Sequence, residues 1–425
     1  MNDIFRTVDV LVCGGGPAGI SAAIQASRIG ATTLLLERFG RLGGAGVTSS
    51  VGPLMGAVNS SLVEEVLAGY AAMGGNPELL DLVYADMLDK ADADILLHCW
   101  AFEAVVENNA VCGVRALCKE GILTIRARVV IDASADGDIA VSAGAAFEKG
   151  RDGDSLLQPM TIQYRIGGVD KERALLCSGE RAAVKVSVPE GIWKAVVEKG
   201  IDDGELPKNV GVIRLYESAN PGERIVNATQ VNHVDGTKVS DLTRAELEGR
   251  RQAILVTRFL RRHAPGYEDC HICQMPAVVG VRETRRILGE EYLTAADLLS
   301  GRKWREAIVR NANFVIDIHN PSGAGQAHGL AEKVKPYDIP YGCLVPRTVE
   351  GLLTAGRCIS GSHEAHASYR VQRIMMAVGA AAGAGAALAV QGNIRPRDVS
   401  IDAVQAVLGI ELDPSVLEEP LVEPR

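Results

Sequence analysis

Aromatic residues are scarce in this chain: 6 Phe, 3 Trp and 9 Tyr make up 4% of its 425 residues. Glycine is abundant instead, with 46 residues. Because glycine has no side chain, backbone segments that carry it can approach one another or a ligand closely. The composition therefore predicts an interior in which backbones, and not large rings, make many of the contacts.

Positive charge is limited as well. The chain has 44 Lys and Arg against 53 Asp and Glu, a net charge of −9, and no run of basic residues is longer than two. Binding to nucleic acid needs clustered positive charge, so this class of partner is disfavoured. Apolar residues at 47% and charged residues at 23% are typical of a globular protein and not of a disordered one.

Long apolar runs are nearly missing. The exception, residues 374–390, has 17 residues without a charge, is rich in Ala and Gly, and has arginines at one flank only. It is slightly short for a bilayer, so it predicts a buried helix and no membrane contact. A strand begins by Val8, which leaves no room for a signal peptide, and nine scattered cysteines are typical of reduced thiols. We expect a cytoplasmic protein, with self-association into a homo-oligomer left open.

The N-terminal segment carries a nucleotide-binding pattern. Residues 8–13 form an apolar strand, a helix extends to Ile29, and residues 32–37 form a second strand that ends at Glu37. Between the first strand and the helix, Gly14, Gly16 and Gly19 satisfy GxGxxG. In such a unit the glycines permit a tight turn, close approach of a pyrophosphate and close packing of helix on strand. Glu37 would accept hydrogen bonds from the adenosine ribose.

The rest of the chain predicts an α/β fold with an inserted second domain. Residues 95–131 alternate as a three-stranded β-meander, with turns near 107–110 and 119–121, that leads into a parallel strand at 129–132. A helix begins at Asn76, and a long helix with the capping box Thr243–Glu246 extends to His263. We predict a Rossmann-like nucleotide-binding domain in two parts, 1–155 and 335–395, a mixed α+β substrate domain at 156–334, and a C-terminal helix and tail at 396–425.

Further motifs decide between NAD and FAD. These are residues 42–48 (LGGAGVT), 130–138 (VIDASADGD) and 353–357 (LTAGR), together with 281–286 (VRETRR) and 337–341 (YDIPY). With them the chain resembles the FAD-dependent oxidoreductases that have a glutathione-reductase-type flavin domain, and among these the branch distantly related to fumarate reductase flavoproteins. One departure is Ala133-Ser134-Ala135, where the family usually has Ala-Thr-Gly.

The resemblance implies FAD as the cofactor and a role for each matching position. The first glycines would hold the pyrophosphate, the next pair would follow the ribityl chain, and the last strand would approach the pyrophosphate again. The implied cofactor residues are Gly14, Gly16, Pro17, Ala18, Gly19, Glu37, Arg38, Gly43, Gly44, Ala133, Ser134, Gly356 and Arg357. The N-terminus of the Ala/Gly-rich helix would stabilise negative charge on the reduced flavin.

Catalysis by a flavin enzyme needs a group that fixes the substrate and one that moves a proton. His319 follows a predicted strand and shares a face with Asp317, which would orient its ring. His363 precedes the Ala/Gly-rich helix and is a second candidate. Arg282 and Arg285 are candidates for binding a substrate carboxylate, with structural ion pairs as the alternative.

Tyr341 completes the candidate residues, either in the substrate cavity or packed against the flavin domain. The sequence thus predicts hydride transfer between flavin N5 and a small polar substrate, possibly carboxylated. The electron acceptor or donor stays unidentified, and no metal site is expected. The alternatives are a flavin-dependent monooxygenase, because Asp136-Gly137 is similar to a motif of aromatic hydroxylases, and a non-catalytic FAD-binding protein.

Overall fold

The computed structural model describes residues 4–52, 54–327, 332–413 and Val416. Helices and strands alternate along most of this range. The strands are β1 (Ile4–Cys13), β2 (Thr33–Leu36), β3 (Ala57–Asn59), β4 (Asp94–Leu96), β5 (Trp100–Glu107), β6 (Ala110–Cys118), β7 (Gly121–Asp132), β8 (Phe147–Lys149), β9 (Gln163–Gly167), β10 (Ser187–Val188), β11 (Gly191–Ile192), β12 (Arg214–Glu217), β13 (Arg224–Asn227), β14 (His271–Gln274), β15 (Arg285–Ile287), β16 (Ala307–Asn313), β17 (Tyr337–Pro340) and β18 (Leu352–Thr354). The helices are α1 (Pro17–Arg28), α2 (Ala45–Thr48), α3 (Ser61–Ala72), α4 (Leu80–Lys90), α5 (Asp138–Ser142), α6 (Glu180–Ala183), α7 (Trp193–Asp202), α8 (Val239–His263), α9 (Ala295–Ser300), α10 (His363–Tyr369), α11 (Gln372–Gly392) and α12 (Ile401–Leu408).

A seven-stranded sheet, counted over the described residues, forms the base of the fold. Its strands β4, β2, β1 and β7 are parallel in that order, and β18 joins β7 as a further parallel strand. Strands β5, β6 and β7 form the predicted antiparallel meander. The third meander strand and the predicted parallel strand are one continuous element, β7, because its first half pairs with β6 and its last residues pair with β18.

The Ala/Gly-rich helix α11 lies against α1 on one face of this sheet. A Cβ on Gly379 would lie 1.9 Å from the carbonyl oxygen of Ala18, and one on Gly383 would lie 2.2 Å from that of Ala22. The two backbones are therefore in direct contact. Within the described residues α11 is the one helix long and apolar enough to cross a membrane, and 89% of its most apolar stretch is buried. The prediction of a buried helix is confirmed.

A second hydrophobic core is built on the antiparallel sheet β12-β13-β9-β14. The helices α7 and α8 cover it with Trp193 and Phe259, whose rings lie 6.0 Å apart. Residues of β16 and β17, in contrast, pack in the core of the parallel sheet. The proposed division into domains stays a prediction.

Of the two predicted helix starts, the one at Asn76 is confirmed and the one at Thr243 is wrong. Asn76 accepts a hydrogen bond from the backbone N–H of Glu78, so the predicted cap is confirmed, although a 3-10 turn precedes α4. The predicted capping box is wrong, because α8 begins at Val239, and the hydroxyl of Thr243 donates to the Val239 carbonyl inside the helix. The predicted C-terminal segment contains α12, and its residues 414, 415 and 417–425 lie outside the described residues.

Candidate functional site

A long cleft opens at the carboxyl ends of the parallel strands β1, β2 and β7. The empty space in it, with its open mouth included, is about 1150 Å³. This is the edge at which open α/β sheets bind nucleotides. The predicted cofactor residues that line the cleft are Gly14, Gly16, Pro17, Ala18, Glu37, Arg38, Gly44, Ala133, Ser134, Gly356 and Arg357.

The glycines of the first turn have separate mechanical roles. Gly14 has φ +119° and Gly19 is in contact with it, since a Cβ on Gly19 would lie 1.8 Å from the Gly14 carbonyl oxygen. A Cβ on Gly16 would meet little more than the Cα of Gly44, 4.0 Å away, and would project into open space beside the helix N-terminus. Gly19 and Gly43 do not line the cleft. They lie behind its wall, where the absence of a side chain allows close packing.

Glu37 lies buried at the end of β2. Its carboxylate accepts hydrogen bonds from the backbone N–H groups of Gly15, at 2.7 Å, and Phe39, at 2.8 Å. Burial raises its pKa above the ordinary value, against the effect of these bonds. The carboxylate is thereby held at the cleft wall, where its remaining lone pairs are available to ribose hydroxyls.

The departure from the family pattern at Ala135 places an alanine in a backbone conformation that is strained for it. Ala135 adopts φ +70°, a left-handed conformation that favours glycine. Beside it the hydroxyl of Ser134 donates to the buried carboxylate of Asp132 at 2.6 Å. Burial raises the pKa of Asp132 to about 6. The Ser134 hydroxyl thus fixes this turn to the sheet.

Charged side chains form the wall next to Gly356. Arg357 donates to Asp136 at 2.9 Å, and Arg285 donates to Asp138 at 2.7 Å. Arg285 is therefore engaged in an ion pair that supports the cleft wall. In contrast, the Nη1 atom of Arg357 is buried with no partner among the described residues, which leaves a donor for an anionic ligand.

The other end of the cleft meets the first turn of α11. Arg370, Gln372 and Met375 line it, opposite Val279. Helix α10 ends at Tyr369 and α11 begins at Gln372, so the unpaired backbone N–H groups at the start of α11 face this end of the cleft. Gln372 donates to the Val51 carbonyl at 2.6 Å, while its own Oε1 atom is buried and unpartnered within the described part of the chain.

A buried charge cluster adjoins this end of the cleft. Arg370 donates to the backbone carbonyl of Asp317 at 3.1 Å and also approaches its carboxylate. His319 Nε2 lies 3.4 Å from Asp317 Oδ2. The structure thus brings the predicted pair together, although residues 314–319 form isolated bridges after β16 and not a strand. Arg282 is close enough to lower the pKa of His319 electrostatically.

The protonation of these groups follows from their surroundings. Burial, and then the charge of Arg282, lowers the pKa of His319 to about 3. Burial opposes ionisation of Asp317, but His319, Arg370 and Arg214 hold its pKa well below the usual range. Burial and the nearby Arg370 lower the pKa of Arg282 to about 9, so it stays charged at neutral pH. His319 is therefore a neutral imidazole at neutral pH.

His363 belongs to a second buried pair. Its Nδ1 lies 2.9 Å from Glu283 Oε1, and Glu283 is also paired with Arg286. Its Nε2 atom is buried and has no partner in the described structure. Because Nδ1 faces a carboxylate, Nδ1 carries a proton, which it donates to Glu283. Neither side chain lines the cleft.

Tyr341 lies away from both clusters. Its hydroxyl donates to the Pro396 carbonyl at 3.0 Å, and its ring packs against Gly385 of α11. Of the two positions considered for Tyr341, the structure shows packing within the fold and not exposure in the cleft.

The side chain of Gln158 also belongs to the cluster, since its Oε1 atom accepts the backbone N–H of His319. Sequence reasoning did not select Arg370 or Gln158 as site residues, because both are brought to the cluster by contacts between distant segments.

The glycine turn and the acidic strand end define a dinucleotide-binding site. The unpartnered Nη1 atom of Arg357 and Oε1 atom of Gln372 suit a long polar cofactor that extends towards the N-terminus of α11. Residues 9–408 match the family model described as FAD dependent oxidoreductase, so the chain belongs to that family. It is an enzyme whose cofactor is FAD.

Several solved structures have a similar fold. One is a geranylgeranyl bacteriochlorophyll reductase-like protein from Thermoplasma acidophilum (16% identity, 95% of this chain and 82% of that one, TM-score 0.49). Others are p-nitrophenol 4-monooxygenase from Pseudomonas putida (11%, 97% and 91%, 0.47) and anhydrotetracycline hydroxylase from Streptomyces rimosus (13%, 95% and 65%, 0.46). At this level of likeness they carry no argument about the reaction of this chain.

Proposed function

We propose that this oxidoreductase transfers a hydride between flavin N5 and a small polar substrate that carries a carboxylate. The observation that supports the proposal is the charge cluster of Arg282, Arg370 and His319, in which Arg370 lines the α11 end of the cleft. Arginine binds carboxylates through paired N–H donors. When bound, FAD supplies the hydride acceptor or donor.

In this proposal His319 takes the proton that leaves the substrate when the hydride is removed. A neutral imidazole beside Asp317 keeps its proton on Nε2, so the acceptor is the lone pair on Nδ1. A base with a pKa of about 3 is weak at neutral pH. A substrate carboxylate beside Arg282 offsets the charge that lowers this pKa, so His319 becomes a better proton acceptor when substrate is bound.

The remaining groups of the cluster position the substrate. Arg370 is held by Asp317 and lines the cleft, so it faces substrate and cofactor together. The apolar side chains of Val279 and Val281 exclude water from the same end. We assign the return of electrons to a separate acceptor or donor, such as a quinone, a partner protein or oxygen.

The test is an anaerobic screen of small metabolites in which flavin absorbance is followed. Bleaching by a hydroxy or amino acid, with product recovered in equal amount, supports the proposal. Consumption of NADPH with an aromatic compound and oxygen would instead identify a monooxygenase. If no metabolite changes the redox state of the flavin, the non-catalytic alternative gains support.

A further inference from the structure

Three buried arginines lie within electrostatic reach of one another near the cleft, and they differ in their partners. Arg214 is paired with Glu180, and Arg370 with Asp317. Arg282, only 8% exposed, donates to the Pro159 carbonyl at 2.6 Å and forms no ion pair with any described residue. A guanidinium has five N–H donors, so most of those of Arg282 are left for another group.

The charges of the cluster do not cancel. The two ion pairs are neutral together, and His319 is an uncharged imidazole at neutral pH. One positive charge, that of Arg282, remains buried. A buried charge without a counterion is unfavourable, so a single added negative charge would complete the cluster.

A buried amide stands beside this charge. Gln158 is 1% exposed, and its Oε1 accepts the backbone N–H of His319 at 3.2 Å. Its Nε2 atom has no hydrogen-bond partner in the described part of the chain. The next residue, Pro159, is the one that holds Arg282. Unused N–H donors therefore occur on the Gln158 side chain and on the guanidinium of Arg282, which is hydrogen-bonded to the neighbouring residue Pro159.

We propose that Arg282, Gln158 and His319 form a subsite for one carboxylate group, and that the substrate is a monocarboxylate. One carboxylate oxygen binds the guanidinium of Arg282 and the other binds the amide of Gln158. His319 then lies next to the carbon that bears the leaving hydride. This inference rests on the proposed function and narrows its substrate class.

The charge count excludes more highly charged ligands from the buried subsite. A dicarboxylate or a phosphate ester would bring a second negative charge, and Arg214 and Arg370 are already neutralised by Glu180 and Asp317. The second charge would be desolvated without compensation. An uncharged amide of the same shape would leave Arg282 unpaired.

Calorimetric titration of the FAD-loaded protein tests the subsite without turnover. The probes are propionate, propionamide, succinate and inorganic phosphate. We expect propionate to bind at least ~10-fold more tightly than the other three, a difference of about 1.4 kcal/mol or more. Equal or tighter binding of succinate or phosphate, or no heat with propionate, would overturn the proposal.

Two variants, Arg282→Gln and Gln158→Glu, test whether propionate binds at this subsite. The second is needed because Arg282→Gln alone could disturb folding. Gln158→Glu keeps the size of the side chain and the acceptor for His319, but it supplies the missing negative charge. Both variants should retain FAD and lose propionate binding by at least ~10-fold, since a charge-assisted contact is removed. Arg258→Gln, exposed on α8, is the matched control and should bind propionate normally.

Unchanged propionate affinity in Gln158→Glu would contradict the subsite. Failure of the monocarboxylate subsite is distinguishable from failure of the proposed function, because bleaching of the flavin by a dicarboxylate would leave hydride transfer from a carboxylated substrate standing while the monocarboxylate subsite falls.

Discussion

At the residue scale, glycines of one motif differ in what a side chain would meet. A Cβ on Gly19 would collide with the Gly14 carbonyl at 1.8 Å, whereas Gly16 faces open space in the cleft. Gly19 is therefore required by the fold itself, and Gly16 by the ligand. The same motif thus contains positions whose substitution has different consequences.

Gly16→Val tests this difference. The backbone of Gly16, at φ −78° and ψ 176°, is accessible to valine, so the variant should fold. Its side chain would occupy the space that the pyrophosphate needs, and we expect FAD binding to be lost. Flavin content after purification and the circular dichroism spectrum measure the two effects. A yellow Gly16→Val protein would contradict the assignment.

His319→Ala tests the proton acceptor. We expect FAD to remain bound and flavin reduction by the substrate to slow ~10²–10⁴-fold, the range for a positioned proton-transfer group. Stopped-flow reduction without oxygen measures the rate, with the exposed His271→Ala as control. A rate within about threefold of native would remove His319 from the mechanism and make His363 the next candidate.

The depressed pKa of His319 also predicts how stability depends on pH. The folded protein holds it at about 3, and the unfolded chain at its ordinary value of 6.5, so between these values the unfolded state binds the proton. This contribution to the free energy of unfolding is fully present above pH 6.5 and is lost as the pH falls, by up to about 1.4 kcal/mol per pH unit.

Urea unfolding of the native protein and of His319→Gln from pH 7 down to pH 4.5 measures this contribution. The variant should lose less stability on acidification. Equal slopes for the two proteins would show that His319 has the same pKa in the folded and unfolded states, and would contradict the lowered pKa.

Sequence analysis found the residues whose roles are encoded locally. Gly14, Gly16 and Glu37 were predictable because a turn, a helix start and a strand end lie within one βαβ unit. Arg370 and Gln158 were not, because their environment is created by segments distant in the sequence. The low pKa of His319 was not predictable for the same reason: burial and the charge of Arg282 act on the ring only in the folded chain.

At the element scale, the pairing of α1 with α11 explains the abundance of Ala and Gly. Composition predicted close backbone contact, and the structure shows which helices make it. The start of α8 was mispredicted because a local capping pattern was outweighed by packing, with the Glu246 carboxylate accepting the backbone N–H of Val279 instead. Such a tertiary bond leaves no trace in the periodicity of the sequence.

Gly379→Ala probes the helix pair. The added methyl would lie 1.9 Å from the Ala18 carbonyl oxygen, so the helices must separate. Overpacking of this kind costs about 1–3 kcal/mol or more, and we expect a lower thermal midpoint together with weaker FAD binding, since Ala18 lines the cleft. Gly392→Ala, at the exposed end of α11, is the control. A native midpoint for Gly379→Ala would argue against direct backbone contact.

At the scale of the whole molecule, the cleft is assembled from distant parts of the chain. Its lining comes from the first βαβ unit, the start of the meander, the end of β7, residues 278–281 and the segment from β18 to α11. A ligand that spans the cleft therefore contacts both ends of the sequence, and its binding energy adds to the stability of the folded state.

FAD should stabilise the apoprotein more than FMN does. At 100 times its dissociation constant FAD adds about 2.7 kcal/mol. FMN lacks the adenosine half and so leaves Glu37 and the turn at Ser134 without a ligand. Thermal midpoints of the apoprotein with each flavin at equal concentration measure the difference, with Gly16→Val as the variant that should respond to neither. Equal shifts would place the binding energy outside the adenosine end.

The position of α11 has a consequence for biosynthesis. During translation α1 emerges long before its partner, because α11 ends at Gly392 while α1 ends at Arg28. At elongation rates of about 5–20 residues per second, the delay is roughly 20–70 s. Throughout that interval the face of α1 that α11 later covers is exposed on the ribosome, and one end of the cleft does not yet exist. A cofactor that spans the whole cleft can therefore make all of its contacts only after α11 has been synthesised.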